Sequence, residues 1–244
     1  TATAADNDYD DASTTETETF TGTAGEMQSF DILINDDSKV EADELINLAL
    51  SNLVPTTVDA GDIDVTSTGT VTITNDDNAV ITVADVVVNE DAGTATLTFT
   101  LDNAVQDGLT VDVNTADGTA TTADADYTAL APETVTFAGT AGETETVDVT
   151  IGADSKLEPD ETFTVSMNNT VPGSADAADI DVTDGATVTI TNDDNAEVTI
   201  ADVSANEDDG AITVTATLNS EVQGGFSVDV NVADGTATTA DNDY

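Results

Sequence analysis

The chain has 244 residues, with 51 Asp and Glu against 2 basic residues, no His and no Cys, for a formal charge of −49. That balance excludes nucleic acid as a partner and disfavours an anionic membrane surface, because polyanion binding needs Lys and Arg to neutralise phosphates. Without Cys or His there are no disulfides, no thiolate sites and none of the usual zinc or copper ligands, so oxygen donors suited to a hard cation such as Ca2+ or Mg2+ remain.

Charge this high reads as disorder by itself. Against that, 39% of the residues are hydrophobic, and Val, Ile, Phe and Leu fall in alternating runs. No apolar run approaches the ~20 residues of a membrane span, so no membrane insertion is expected in this segment.

The chain opens on TATAADNDY (Thr1–Tyr9), a phrase that returns as TATTADADY at Thr119–Tyr127 and TATTADNDY at Thr236–Tyr244. The tyrosines mark a period of roughly 117 residues, the length of a domain rather than of a solenoid repeat. Residues 1–77 are therefore expected to form the second part of one unit, 78–194 a complete unit and 195–244 the first part of another. Both ends fall inside the repeat, so the sequence is expected to be a segment of a longer protein.

The first part should hold the Asp–Tyr loop and four strands, the last at Val71–Thr74. Ala42–Asn52 (ADELINLALSN) has the propensity of a helix, but its core is read as a strand because the equivalent Pro159–Asn169 (PDETFTVSMNN) alternates. Asn75–Ala79 (NDDNA) is a linker too short to be a loose tether. The complete unit then shows seven period-two segments: Ala79–Val88, Thr94–Leu101, Leu109–Val113, Thr134–Phe137, Glu145–Ile151, Thr162–Met167 and Ala186–Thr191. Gly, Asp, Asn and Pro clusters separate them. Three more strands and the Asp–Tyr loop are expected after the second NDDNA linker. The fold class is all-β, tandem immunoglobulin-like seven-strand antiparallel β-sandwiches.

Four acidic signals recur between strands. They are the Glu after the first strand (Glu90, Glu207), the Asp of the Asp–Tyr phrase (Asp8, Asp126, Asp243), a loop with Asp and Glu four apart (Asp37 and Glu41, Asp154 and Glu158) and the linker pair (Asp76-Asp77, Asp193-Asp194). Each alone is ordinary turn chemistry. In an antiparallel sandwich, alternate connections share one end, which gathers all four signals there. At 4 Å, each like-charge contact costs ~4 kcal/mol at an effective dielectric of 20. A cation that accepts 6–8 oxygens resolves such crowding. Lys39 and Lys156, the only basic residues, stand in the same loop of successive units and read as local counter-charges.

The ordered blocks VxxNEDAG near Glu90, DGTATTADADY, TVTFxxGxxxETxxVxI, DSKLEPDETFTV and ATVTITNDDNA resemble the Calx-beta domain, named for calcium-binding domains of sodium–calcium exchangers. The resemblance covers essentially the whole chain. It implies a seven-strand sandwich with a Ca2+ cluster at the end bearing the exit linker. Carried over by position, the ligands of the complete unit would be Glu90, Asp126, Asp154, Glu158, Asp193 and Asp194. The first unit would supply Asp8, Asp36, Asp37, Glu41, Asp76 and Asp77, and the last Glu207 and Asp243. Ala153 departs from the pattern where the first unit has Asp36, which should weaken or remove one ion. Asn75 and Asn192 stand where the family often has a further Asp, and could ligate through a carbonyl oxygen.

The function expected is that of a Ca2+-binding structural repeat in a large extracellular or cell-surface adhesin or filament. Its partners are Ca2+ and neighbouring repeats or subunits end to end, as in a fibre. The alternative is a regulatory Ca2+-sensing module of a larger membrane protein. An enzyme has no support: no His, Cys or Arg is present, and chelation accounts for the paired carboxylates.

Overall fold

The computed structural model describes residues 2–3, 8–10, 15–241 and 243–244. In the first part, β1 (Glu44–Ala49) pairs antiparallel with β2 (Thr68–Ile73), so Ala42–Asn52 does hold a strand. Four strands were expected there; among the described residues these two form. A two-stranded ribbon offers no second sheet to pack against, and the apolar side chains of Phe20, Phe30 and Leu33 lie exposed.

The complete unit is a sandwich. Its strands are β3 (Ala79–Val83), β4 (Val86–Asn89), β5 (Thr94–Leu101), β6 (Leu109–Asp117), β7 (Glu133–Phe137), β8 (Thr144–Thr150), β9 (Glu161–Pro172), β10 (Ile180–Asp181) and β11 (Gly185–Thr191). One sheet runs β10-β3-β5-β8 and the other β4-β11-β9-β6-β7. Alternate residues of both sheets point inward, and Phe99, Phe137, Phe163, Ile81, Leu97 and Val111 are fully enclosed between them. The immunoglobulin-like architecture expected from the alternation is the one observed.

One expected strand is in fact two. The run Ala79–Val88 crosses between sheets at Ala84-Asp85: β3 pairs antiparallel with β5, and β4 pairs parallel with β11. Carboxylates satisfy the backbone at the crossing. Asp184 Oδ2 accepts from Val83 N at 2.9 Å, and Asp85 Oδ1 accepts from Thr187 N at 2.7 Å. The switch delivers the end of β4, and with it Glu90, to the edge of the β11 sheet. A short parallel strand, β10, also lies beside β3 and was not expected.

In the last part, β12 (Val198–Ile200) pairs antiparallel with β13 (Ala216–Leu218). The third expected strand does not form among the described residues. Phe226, Val228 and Val230 are 55–61% exposed, whereas Leu109, Val111 and Val113 at the same repeat positions are at most 3% exposed. The alternation is right for a strand; the facing sheet that would bury it is what the middle unit has and this part lacks.

Candidate metal centre

The Asp–Tyr loop is built around two residues with different tasks. Tyr127 is buried and stacks on Phe163, while its hydroxyl donates to Asp117 Oδ1 at 2.6 Å. Burial, with the hydrogen bond to Asp117, pushes the phenol up to about 12. Asp126, held next to this anchor, accepts from Thr121 N through Oδ2 at 2.6 Å, and its carbonyl accepts from Gly152 N at 2.9 Å. The aspartate–threonine bond recurs as Thr3 N to Asp8 at 2.6 Å and Thr238 N to Asp243 at 2.9 Å. Among the described residues, this aspartate–threonine bond is thus made in all three units.

The exit linker is tied down by Asn192. Its Oδ1 accepts from Glu158 N and its Nδ2 donates to the Asp194 carbonyl, both at 3.1 Å. Asp160 Oδ1 accepts from Asn192 N at 3.1 Å. Asn75 makes the same set with Glu41 N at 3.0 Å, the Asp77 carbonyl at 3.0 Å and Asp43 at 3.1 Å. The asparagines, which could also ligate through a carbonyl oxygen, are clamps that clip the linker onto the Asp–Glu loop.

Two carboxylate triplets result. Glu90, Asp154 and Asp194 bring oxygens within 4.8 Å of one another, and so do Asp126, Glu158 and Glu161. Glu90, Asp126, Asp154, Glu158 and Glu161 line a single cavity of about 60 Å3, several times the ~10–15 Å3 that one water-sized sphere needs. Asp193 lies beside this group: it is the main cause of the raised carboxyl of Asp91.

The electrostatics are those of a site short of positive charge. Burial pushes the Glu90 carboxyl up, opposed by the Asp154 N–H and reinforced by Asp154, Asp194 and Asp193. Burial likewise raises Glu161, with Asp126 and Glu158 adding to it and Gln223 opposing. Asp194 Oδ2 is buried with no hydrogen bond, whereas Glu158 Oε1 already pairs with the Lys156 ammonium. A buried acceptor left open in this way is costly unless something positive fills the space beside it. The donor set is all oxygen, anionic and clustered, which fits Ca2+.

The first unit repeats the arrangement more openly. Asp8, Asp36, Asp37, Glu41, Asp76 and Asp77, with Glu44, line one cavity of about 60 Å3. Burial raises Asp77, with Asp76, Asp37, Asp36 and Glu41 contributing. Burial raises Glu44 too, reinforced by Asp8. Lys39 pairs with Glu41 as Lys156 does with Glu158. In the last unit Glu207 and Asp243 are not brought into a carboxylate cluster among the described residues. Glu207 sits exposed in a 3-10 turn.

Sequence reasoning missed Glu161. It shares the inward parity of Phe163, Val165 and Met167 on β9 and is 8% exposed. That parity was one available signal, and Glu44, at the same place before a similar alternating strand in the first unit, was another.

A family model for the Calx-beta domain matches residues 75–194 and again 193–244. Among solved structures, the chain is similar to the apo form of the Calx CBD1 domain, with 22% identity over 48% of this chain and 100% of that one, at a TM-score of 0.42. It is similar to CBD12 from CALX1.2, with 22% identity over 47% of this chain and 44% of that one, at a TM-score of 0.40. The Calx CBD2 domain follows, with 18% identity over 46% and 85% of the two chains, at a TM-score of 0.36. No curated protein matches the sequence.

Proposed function

The chain belongs to the Calx-beta family of calcium-binding domains, and on that premise we propose that it is a Ca2+-binding structural repeat of a large extracellular or cell-surface adhesin or filament. The units are 1–77, 78–194 and 195–244. In the middle unit Glu90, Asp154, Asp194, Asp126, Glu158 and Glu161 would hold the metal, with Asp193 and Asp91 at its outer side. When bound, Ca2+ would supply positive charge between carboxylates that otherwise repel.

The observation that carries this reading is the placement of Asp194. It belongs to the linker, yet it forms a triplet with Glu90 and Asp154 from the body of the sandwich and carries a buried oxygen with no hydrogen bond. A cation shared by those three fixes the linker to the domain it leaves. The next strand starts four residues later, at Val198, so fixing the linker restrains the next repeat. Neighbouring repeats end to end, in a fibre or a stalk, are the partners this arrangement serves. The exposed apolar stripes of the two outer parts fit the same reading, since a neighbouring repeat sequence would bury them.

The test is to remove the metal and watch shape and stability together. Chelation should lower the melting temperature, and small-angle scattering should show a shorter, more variable particle that Ca2+ restores. Binding in the ~0.1–1 mM range would match an extracellular module. An unchanged melting point and unchanged shape in chelator would overturn the proposal.

A further inference from the structure

Each unit's Asp–Glu loop touches the unit that follows it, and does so twice in the same way. At the first junction Val40 N donates to the Ala104 carbonyl and Gln106 N donates to the Val40 carbonyl, both at 2.9 Å. At the second, Leu157 N donates to the Glu221 carbonyl at 2.9 Å and Gln223 N to the Leu157 carbonyl at 3.0 Å. Each is a one-residue parallel bridge, Val40 to Val105 and Leu157 to Val222.

The bridge brings a glutamine of the following unit onto a site carboxylate of the preceding one. Gln223 Nε2 donates to Glu161 Oε1 at 3.2 Å. Gln106 Nε2 reaches Glu44 Oε1 at 3.5 Å, while its Oε1 accepts from Ala42 N at 3.4 Å. Glu44 and Glu161 are the acids that stand apart from the loop motif, at the first residue of β1 and β9. The receiving loop is itself anchored in its own domain, where Val105 N donates to the Gly139 carbonyl at 3.0 Å.

We propose that Gln106 and Gln223 are positioning residues through which each repeat tunes the cation affinity of the repeat before it. This deepens the calcium reading and rests on it. The amide holds one oxygen of the glutamate and leaves the other for the metal. Hydrogen bonds of this outer-shell kind typically change metal affinity by about 10- to 100-fold. Because linkage is reciprocal, the ion that orders Glu161 also strengthens the seat of the next repeat. Calcium affinity is then a property of a pair of repeats, and the site nearest a missing successor is the weakest.

Calorimetric Ca2+ titration of the full chain carrying Gln223→Leu or Gln223→Glu tests this. Gln223 is exposed, and its junction bonds through the backbone survive either change. Gln223→Leu removes the amide, and the affinity of the middle-unit site should fall about tenfold. Gln223→Glu adds a carboxylate beside Glu161, and the affinity should rise, since ligand charge count tightens such sites. Opposite signs from one position are what a purely structural role cannot produce. Wild-type isotherms in both variants, or weakening in both, would overturn the inference while leaving the calcium site intact. No calcium binding by the unaltered chain would overturn the calcium reading and this inference with it.

Discussion

The ring of Tyr127 lies flat on that of Phe163, with centroids 4.1 Å apart and planes 9° apart. Phe163 is fully buried in the core, two residues along β9 from Glu161. The stack therefore joins the Asp126 loop to the strand that carries another acid of the same triplet. Tyr127→Ala should cost about 3–5 kcal/mol by urea denaturation, the range for losing a buried aromatic ring, and should weaken Ca2+ binding because Asp126 loses its footing. Tyr127→Phe keeps the stack and should cost about 1–2 kcal/mol, the hydrogen bond to Asp117. Tyr244 makes the same bond to Asp234 at 2.5 Å but is 54% exposed. Tyr244→Phe should therefore stay within about 0.5 kcal/mol of the parent.

Glu161 makes a charge test with two signs. Burial and its neighbours Asp126 and Glu158 disfavour its ionised form, so Glu161→Gln relieves repulsion when no cation is present. In chelator the variant should melt higher than the parent. In Ca2+ it should melt lower, with affinity reduced about tenfold for the lost anionic donor. Thermal scans with and without chelator check both halves. A variant less stable in both conditions would mean that Glu161 serves packing rather than charge.

Strand positions in the middle unit were legible because Thr–Val alternation is a local signal. Thr94–Leu101 was read as a strand and is one, with its inward residues Ala95, Leu97, Phe99 and Leu101 all buried. The break at Ala84-Asp85 was not legible. No Gly or Pro marks it, and its support comes from Asp184, about a hundred residues away. The clustering of Glu90, Asp126, Asp154, Glu158 and Asp194 followed from loop parity alone. The clamp role of Asn192 did not, because it depends on a hydrogen bond to Glu158, 34 residues back. In the outer parts the pattern at Phe226–Val230 is that of a strand, yet alternation states only which face would be buried.

Asn192 is the cheapest place to separate the linker from its domain. Asn192→Asp keeps an acceptor for Glu158 N but removes the donor to the Asp194 carbonyl and sets a charge against it. Without Ca2+ this should destabilise the chain by about 1–3 kcal/mol, the cost of an unmet buried polar group. Added Ca2+ should recover part of that loss, since the new carboxylate faces the same cluster. Urea denaturation in chelator and in Ca2+ gives the two numbers. An equal loss in both would place Asn192 outside the metal's influence.

Stability against pH should change sign with metal. Glu90, Glu161, Glu44 and Asp77 are all raised, burial first among the causes and neighbouring carboxylates reinforcing it, and Asp91 is raised chiefly by Asp193. A group whose folded value lies above its unfolded one binds its proton more tightly in the native state, so its contribution is fully present below the unfolded value. That contribution is lost as pH rises through the folded value. In chelator these five groups should therefore erode stability as pH climbs from the ordinary carboxylate range, about 4, towards neutrality, against carboxylates such as Asp112 and Asp117 that hydrogen bonds hold low. In saturating Ca2+ the slope should reverse, because each proton must leave before its carboxylate can ligate. Melting temperatures across that range, with chelator and with Ca2+, would show two curves of opposite slope. Parallel curves would mean that the raised carboxylates and the cation do not share a site.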